Sequence, residues 1–228
     1  CFIARPNNKL VIIDWCGQES GIQAYLADDE RMKSIFNSGQ DIYVLMAKEM
    51  LDKTIEKSDP LRPTMKAVVL GSDYGMSSQG LARKLEIDLD KAEELMKQFR
   101  RTFPQMYEYM EIQSSKKKCV QTISGRKCWL NPYSEQCGRN AINSPTQGSG
   151  GDMLKKSIAR MHKEWKFDYP FAIVEVTHDE IGLDVPEEIS HNVAEFTEKI
   201  MVETANEMCK GMSFRVDTHI IDNWASAK

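Results

Sequence analysis

An α+β fold is predicted, in which a small antiparallel sheet is backed by helices and carries a large, mainly helical insertion. The prediction rests on strand-like apolar patterns at residues 10–13, 171–186 and 214–220, and on helical spacing of apolar residues between the first two. The sheet is therefore expected to form from the two ends of the chain, with the helical block inserted into it. This insertion takes up more than half of the 228 residues.

The individual elements follow from local patterns, beginning with an apolar run at residues 10–13 that ends in Asp14. Helices are expected where apolar residues recur every three or four positions. They are predicted at residues 21–36, 41–51, 77–85, 88–114, 139–165 and 189–208, and a further one runs from the proline-containing segment 59–63 to residue 72 or 73. The first helix is expected to be interrupted at residues 28–30, and the helix at 88–114 is expected to bend at Pro104. Residues 119–130 read as a β-hairpin. The glycines at 148–151 lead directly into apolar residues, which favours close packing of a helix start over a flexible linker.

The stretch 171–186 is predicted to form two antiparallel strands. Its first half is β-branched, and its second half alternates apolar and polar residues. The adjacent residues His178, Asp179 and Glu180 lie at or near the turn between them. An ordinary polar turn is one interpretation of these three ionisable residues, and a cation site is the other. A second carboxylate on another strand would favour the cation site.

Asp14 can supply that second carboxylate, because it ends a strand that is expected to be central in the sheet. If the strands of Asp14 and Asp179 are neighbours, the two side chains can meet in a cleft. Mg²⁺ prefers oxygen ligands and keeps several of its waters. Paired metals about 3.5–4 Å apart serve phosphoryl transfer. Alone, either aspartate could equally be a helix cap or a salt-bridge partner.

A more specific pattern lies on the helix that follows the prolines at 60 and 63. Arg62, Lys66, Leu70 and Tyr74 are four residues apart and therefore share one helix face. Two cations a turn apart suit a polyphosphate, and the apolar and aromatic residues can pack against a sugar and a base. A solvated amphipathic face is the alternative, which the strict order of cation, cation, apolar and aromatic makes less attractive.

Bulk properties exclude several classes of protein. The content of 41% hydrophobic residues is enough for the core of one large domain or of two joined ones. The net charge of -4 argues against a simple DNA-coating protein, which would be basic. The six cysteines form no CxxC pair, which argues against zinc and for reduced thiols. No apolar run reaches the roughly 18 residues of a membrane span. The chain, which begins with Cys1 and soon reaches a strand, looks like a piece of a longer protein.

Three segments together resemble the signature motifs of family A DNA polymerases, the bacterial DNA polymerase I type. They are Asp14 with Glu19, the helix that carries Arg62 and Lys66 and ends at Tyr74-Gly75, and residues 176–180. The resemblance continues in the family's order over essentially the whole chain. The further matching segments are Asp41-Ile42-Tyr43, residues 122–126, residues 139–148 and residues 222–228.

The resemblance implies a template-directed DNA polymerase fragment, which adds deoxynucleotides to a primer 3′-hydroxyl by two-metal phosphoryl transfer. Residues 1–19 and 171–228 would form part of an antiparallel palm sheet. Residues 20–170 would form the helical fingers, with the 139–165 helix at the junction. Two Mg²⁺ ions, or Mn²⁺, are the implied cofactors. The implied partners are primer–template DNA, deoxynucleoside triphosphates and a missing N-terminal portion with a thumb and exonuclease, in the cytoplasm of a bacterium or virus-infected cell.

Individual roles are also implied only by this resemblance. The catalytic residues would be Asp14, Asp179, Glu180 and Lys66, of which the two aspartates hold the metals and Lys66 protonates the leaving pyrophosphate. The nucleotide site would consist of Arg62, Lys66, Leu70, Tyr74, Tyr43 and Glu19, the last excluding a ribose 2′-hydroxyl. The DNA-binding residues would be Arg139, Asn143, Gln147, His178 and Arg126.

Some positions depart from the bacterial pattern, which suggests a phage or other viral lineage. Leu70 stands where an aromatic residue is usual, Pro63 replaces a second basic residue, Tyr43 replaces a His, and Gly17 replaces a Gln. The basic residues around 100–101, 116–118 and 126–127 are interpreted equally as a contact surface for template phosphates or as a solvated face.

Two alternative functions remain open at this point. A phage-type single-subunit RNA polymerase shares a similar palm and helix, and residues 20–23 have some of its character. Glu19 and Glu180 favour the DNA enzyme, since an RNA polymerase must admit the 2′-hydroxyl. The other alternative is a non-catalytic, DNA-binding half of a split polymerase. The presence of the predicted metal ligands and phosphate-binding cations argues against such a remnant.

Overall fold

Two compact units make up the structure, a computed structural model that describes residues 2–227 without the side chains of Asp73 and Ala227. Cys1 and Lys228, which belong to the predicted palm, lie outside the described residues. The first unit, here the sheet unit, comprises Cys1–Gln18 and Gly150–Lys228, and the second, the helical unit, comprises Glu19–Ser149. Residues 150–170 thus group with the sheet. The functional division into palm and fingers stays a prediction.

Four strands form the main sheet, and all of its pairings are antiparallel. With strands numbered along the chain, they are β1 (Asn8–Trp15), β4 (Ile173–Thr177), β5 (Glu180–Pro186) and β6 (Val216–Ile221). Their order is β4-β5-β1-β6, so the first strand lies between two strands from the far end of the chain. The predicted strand at residues 10–13, the hairpin within 171–186 and the last strand are all confirmed.

One face of this sheet packs against α9 (Ser190–Met208). Apolar residues of β5 that alternate in the sequence, such as Ile181 and Leu183, are completely buried, as are their partners on β1. The indole N–H of Trp15 donates to the Met201 carbonyl of α9 over 3.3 Å. Each buried Leu or Ile side chain stabilises the fold by about 1.5–3 kcal/mol, so this interface holds β1 rigidly from one side.

The helical unit contains a succession of short helices. Those that precede the small hairpin are α1 (Gln18–Ala27), α2 (Glu30–Asn37), α3 (Ile42–Leu51), α4 (Leu61–Asp73), α5 (Ser78–Leu85), α6 (Leu89–Thr102) and α7 (Pro104–Ser114). The predicted interruption at residues 28–30 is confirmed. The fully buried carboxylate of Asp29 caps α2 by accepting from Met32 N at 2.9 Å, and it also accepts from Met106 N in α7 at 3.2 Å.

The prediction of a single bent helix over residues 88–114 was wrong, because the structure has two helices there. Phe103 separates α6 from α7 with φ -125° and ψ 68°, outside helical values. Pro104 is the first residue of α7, where its missing N–H removes no helical hydrogen bond. The proline thus starts a helix at this position, where the sequence had indicated a bend.

A hairpin and a long helix complete the described chain. The hairpin consists of β2 (Cys119–Gln121) and β3 (Lys127–Trp129), and α8 (Cys137–Glu164) follows with Pro145 inside it. A Cβ atom on Gly148 would lie 2.6 Å from Thr122 Cγ2, so only glycine fits where this helix approaches the hairpin. Close packing is therefore confirmed at Gly148, but the prediction of a helix start at the glycine run was wrong, because α8 already begins at Cys137. Across residues 2–227, no helix has both the length and the apolar character needed to cross a membrane.

Candidate active site

Acidic side chains meet at one end of the main sheet. Asp14 of β1 lies directly opposite Glu180 of β5 on one side and Asp217 of β6 on the other. Residues directly opposite in an antiparallel pair point to the same face of the sheet. Glu180, Asp14 and Asp217 therefore form a line across three strands, here called the acidic row. Asp179 is the residue that immediately precedes Glu180, in the turn between β4 and β5.

The hairpin turn places Asp179 beside the acidic row. Its backbone carbonyl accepts a hydrogen bond from Trp15 N, at 3.4 Å, next to Asp14. His178, the other turn residue, has φ 58°, a left-handed conformation that is uncommon outside glycine. The two aspartates singled out in the sequence are thus brought together because β1 and β5 are neighbours, as the metal interpretation required.

Electrostatic repulsion is concentrated on Asp14. Burial, the charge and hydrogen bond of Asp179, and the charges of Glu180 and Asp217 together raise the pKa of Asp14 to about 7. Its Oδ1 atom is buried with no hydrogen-bond partner among the described residues. A buried carboxylate oxygen without a partner is costly. A cation at this point would remove both the repulsion and the unmet hydrogen-bonding capacity.

The donor atoms here fit a divalent cation such as Mg²⁺. Among residues 2–227 no three acidic, histidine or cysteine side chains converge closely enough to hold a metal between them. Mg²⁺, however, is usually bound by one or two carboxylates together with waters and substrate phosphates. Asp14 and Asp179 satisfy that requirement.

Two neighbours of Asp14 were not singled out in the sequence. Asp217 is exposed on β6, and the only sequence signal for it was a polar position in an alternating strand, which does not reveal the register. Cys16 hydrogen-bonds to Asp217, and burial, with that bond, raises the pKa of its thiol to about 12. The thiol therefore stays protonated near neutral pH.

The cationic face predicted on α4 is present in the helical unit. Arg62 and Lys66 lie on successive turns, with half-buried Leu70 next and Tyr74 at the helix end. The Arg62 guanidinium lies 5.3 Å and the Lys66 ammonium 5.9 Å from the centre of the Tyr43 ring. Both separations suit cation–π attraction. The structure thus brings Tyr43 together with the two cations.

Asp41 holds Arg62 in place. Its Oδ2 atom accepts from Arg62 Nε at 3.0 Å and Nη2 at 2.7 Å, and its Oδ1 atom caps α3 by accepting from Tyr43 N and Val44 N. Burial raises the pKa of Asp41, but the Arg62 and backbone hydrogen bonds outweigh it and hold the pKa below its usual range. Asp41 thus fixes the orientation of the Arg62 guanidinium.

This double role of Asp41 leads to a stability prediction. Asp41→Ala is expected to lower the free energy of unfolding by about 1–3 kcal/mol, since a lost N-cap costs about 0.5–2 kcal/mol and the partly buried pair adds to it. Asp41→Asn keeps a capping oxygen and should lose less than half as much. Urea unfolding at pH 7 measures both. An equal loss in the two variants would contradict the capping role.

A second contact in the helical unit joins two residues predicted to bind nucleotide. The Tyr74 hydroxyl donates a hydrogen bond to Glu19 Oε2, and both side chains are partly exposed. The aromatic ring at the end of α4 thereby fixes the orientation of the Glu19 carboxylate. This is the arrangement needed if Glu19 is to act as a fixed steric boundary.

The predicted DNA-binding residues fall into both units. Arg139, Asn143 and Gln147 follow each other at four-residue intervals on α8, where the first and last are exposed. Asn143 Oδ1 is buried with no hydrogen-bond partner among the described residues. Arg126 of the hairpin donates to the Gly148 carbonyl at 2.9 Å, next to that helix face. His178 is exposed in the sheet unit.

Known proteins resemble this chain along its whole length. It is 27% identical to the thermostable DNA polymerase I of Thermus aquaticus over 238 residues, which cover 100% of this chain and 28% of that protein. It is also 27% identical to DNA polymerase I of Pseudomonas aeruginosa, and that match covers 99% of this chain and 26% of the Pseudomonas protein. The chain thus spans little more than a quarter of the length of these relatives.

A solved structure and a family model agree with these relatives. The POL domain of Pol1 from M. smegmatis, in complex with DNA primer-template and dNTP, superposes with a TM-score of 0.85 at 24% identity. The match covers 99% of this chain and 42% of the other, and it shows the same fold. The model of DNA polymerase family A matches residues 1–226. With that match over nearly every residue, the chain belongs to DNA polymerase family A.

Proposed function

We propose that this chain is the catalytic part of a template-directed DNA polymerase, which adds deoxynucleotides to a primer 3′-hydroxyl. The observation that carries the proposal is the pairing of β1 with β5, which puts Asp14 beside Asp179 and opposite Glu180. Family membership supports the same reaction. The M. smegmatis relative was solved with primer-template and dNTP, which are the substrates proposed here.

Asp14 and Asp179 would hold two divalent metal ions, Mg²⁺ or Mn²⁺, with Glu180 and Asp217 adding negative charge nearby. Bound metal ions supply positive charge that activates an attacking oxygen and stabilises a leaving one. Because its pKa is about 7, the Asp14 carboxyl is partly protonated near neutral pH, and it loses this proton when it becomes a metal ligand. Asp179 presents its carboxylate from the turn between β4 and β5.

The face of α4 binds the triphosphate of the incoming nucleotide. The Arg62 guanidinium exchanges its Asp41 partner for phosphate oxygens, and the exposed Lys66 ammonium adds a second charge one turn further on. Lys66 Nζ donates a proton to the oxygen of the leaving pyrophosphate. Tyr43, which lies beside both cations, keeps their head groups on the nucleotide side.

The sugar and base contact the far end of the same helix. Leu70 and Tyr74 provide apolar and aromatic surface for them. Glu19, held by the Tyr74 hydroxyl, occupies the space that a ribose 2′-hydroxyl would need. Selection of deoxynucleotides therefore depends on a carboxylate whose position is set by a tyrosine.

Primer–template DNA contacts the face of α8 and the hairpin. Asn143 and Gln147 read minor-groove acceptors, which nearly all correct base pairs share. Arg139 and Arg126 bind phosphates, and His178 contacts the primer end. An N-terminal portion with a thumb, and an exonuclease upstream of it, would complete the enzyme.

The decisive experiment is primer extension by the complete polymerase, with Mg²⁺ and with either deoxy- or ribonucleotides. Template-directed extension with deoxynucleotides is the expected result. Absence of extension with either sugar would reject the proposal. Comparable extension with both would favour the RNA polymerase alternative.

Glu19→Ala is expected to raise the kcat/KM for ribonucleotides relative to deoxynucleotides by at least about tenfold, which corresponds to 1.4 kcal/mol of lost discrimination. Tyr74→Phe keeps the ring but removes the hydroxyl that orients Glu19, and it should shift the ratio in the same direction to a smaller extent. Steady-state kinetics with both nucleotide types provide the ratio. An unchanged ratio in the Glu19 variant would show that another residue excludes the 2′-hydroxyl.

A further inference from the structure

We propose that Trp224 is a positioning residue, whose indole N–H orients the Glu180 carboxylate within the acidic row. The inference rests on the proposed function and extends it to a residue near the end of the described chain. Trp224 Nε1 donates to Glu180 Oε1 at 2.7 Å. A bond of this length to a carboxylate is a charge-assisted one, about twice as strong as a neutral bond.

The position of Glu180 makes this contact relevant to the site. Glu180 is the first residue of β5 and lies directly opposite Asp14. Its side chain is only half-buried and has several rotatable bonds. A glutamate of that kind adopts several rotamers unless a neighbour restricts it. The indole N–H supplies the restriction by holding one of the two carboxylate oxygens.

Trp224 is itself held by the other end of the chain. Its backbone N–H donates to the Phe2 carbonyl at 3.0 Å, and its ring meets the Phe2 ring edge-on at 6.1 Å. Ile3 forms a β-bridge with Asn223, and Ala4 N donates to the Asp222 carbonyl at 2.9 Å. The two segments form a short clamp, so the indole approaches Glu180 from a fixed direction.

The clamp shows why the tryptophan does more than fill space. Phe2 and Ile3 are 59% and 70% exposed, so the apolar surface buried around Trp224 is modest. A purely structural residue there would not need a donor aimed at the carboxylate opposite Asp14. The geometry therefore assigns to Trp224 control over where Glu180 places its charge.

Trp224→Phe tests the assignment, because phenylalanine keeps an aromatic ring beside Phe2 but lacks the N–H. In the complete polymerase we expect kcat to fall about tenfold, the size of one charged hydrogen bond, while the KM for deoxynucleotides stays unchanged. Direct Mn²⁺ binding, followed by electron paramagnetic resonance without DNA, should weaken at least threefold. Glu180→Gln alone should lower both quantities.

A double-mutant cycle separates positioning from structure. If Trp224 acts through Glu180, then Trp224→Phe should have no further effect on kcat or Mn²⁺ affinity when Glu180 is already glutamine. Trp165→Phe is the matched control, since Trp165 Nε1 makes an equally short 2.7 Å bond to the Tyr169 carbonyl in the same unit. This control should leave the Mn²⁺ affinity unchanged.

Three results would overturn the proposal. They are additive effects in the cycle, an unchanged Mn²⁺ affinity in folded Trp224→Phe, and an equal loss of affinity in Trp165→Phe. If Trp224→Phe does not fold, Phe2→Ala tests the clamp with the indole intact, and an unchanged affinity there has the same meaning. Failure of the wild type to extend a primer would reject the proposed function, but the Mn²⁺ measurements would still report on Trp224.

Discussion

Asp14→Asn is expected to abolish primer extension, with a loss of more than about 100-fold, and at the same time to stabilise the metal-free protein. Mutations of groups that merely support a ligand already cost about 10–100-fold, so removal of a ligand should cost more. The gain in stability arises because asparagine ends the repulsion between Asp14 and the acidic side chains of Asp179, Glu180 and Asp217.

The stability effect should depend on pH in a defined direction. The pKa of Asp14 rises from its usual 3.8 to about 7 on folding, so the folded protein prefers the protonated form. The contribution of protonated Asp14 to the free energy of unfolding is fully present below about pH 4 and is lost as the pH rises through about 7. Solvent screening of this half-buried group reduces the loss to about 1–2 kcal/mol.

Urea unfolding in the presence of a chelator, between pH 4.5 and 8, measures this effect. The wild type should lose stability over that range, and Asp14→Asn should remain nearly constant apart from contributions common to both proteins. Asp217→Asn should give an intermediate slope. Parallel curves for wild type and Asp14→Asn would show that Asp14 is not the repelled group.

Lys66 variants are expected to separate charge from proton donation. Lys66→Ala should raise the KM for deoxynucleotides about 10–100-fold, because it removes a charged contact worth about 1.5–3 kcal/mol. It should also lower kcat by about 100-fold or more, the usual contribution of a positioned general acid. Lys66→Arg keeps the positive charge but cannot release a proton near neutral pH. It should therefore restore much of the KM and little of the kcat.

Steady-state kinetics with deoxynucleotides, which give kcat and KM separately for each variant, distinguish these effects. Because the Lys66 side chain is exposed, the free energy of unfolding should change by less than about 0.5 kcal/mol in either variant. A Lys66→Arg enzyme with wild-type kcat would mean that another group protonates the pyrophosphate.

Local patterns in the sequence were sufficient for most of the fold and for the pair Asp14 and Asp179. The hairpin of β4 and β5 has a period of two over neighbouring residues, and the helices have a period near 3.6, so both can be read without knowledge of distant residues. The four-residue spacing of Arg62 and Lys66 likewise predicts a shared face on α4.

What the sequence could not reveal depends on register and on long-range partners. Asp217 aligns with Asp14 only because β6 pairs with β1 in one particular register. The hydrogen bond between Asp41 and Arg62 joins two segments that are distant in the sequence, and no local pattern predicts that they meet. The same holds for the bond between Trp224 and Glu180.

The strand order has a consequence for how the protein is made. Because β1 lies between β5 and β6, it acquires both of its neighbours only after these two later strands have been synthesised. Chains fold progressively as they leave the ribosome, and helices with local contacts form early. The acidic row is therefore assembled only after β6 has been synthesised. An unfinished chain that stops before β6 lacks Asp217 and Trp224, and so cannot present the complete set of carboxylates to metal or DNA.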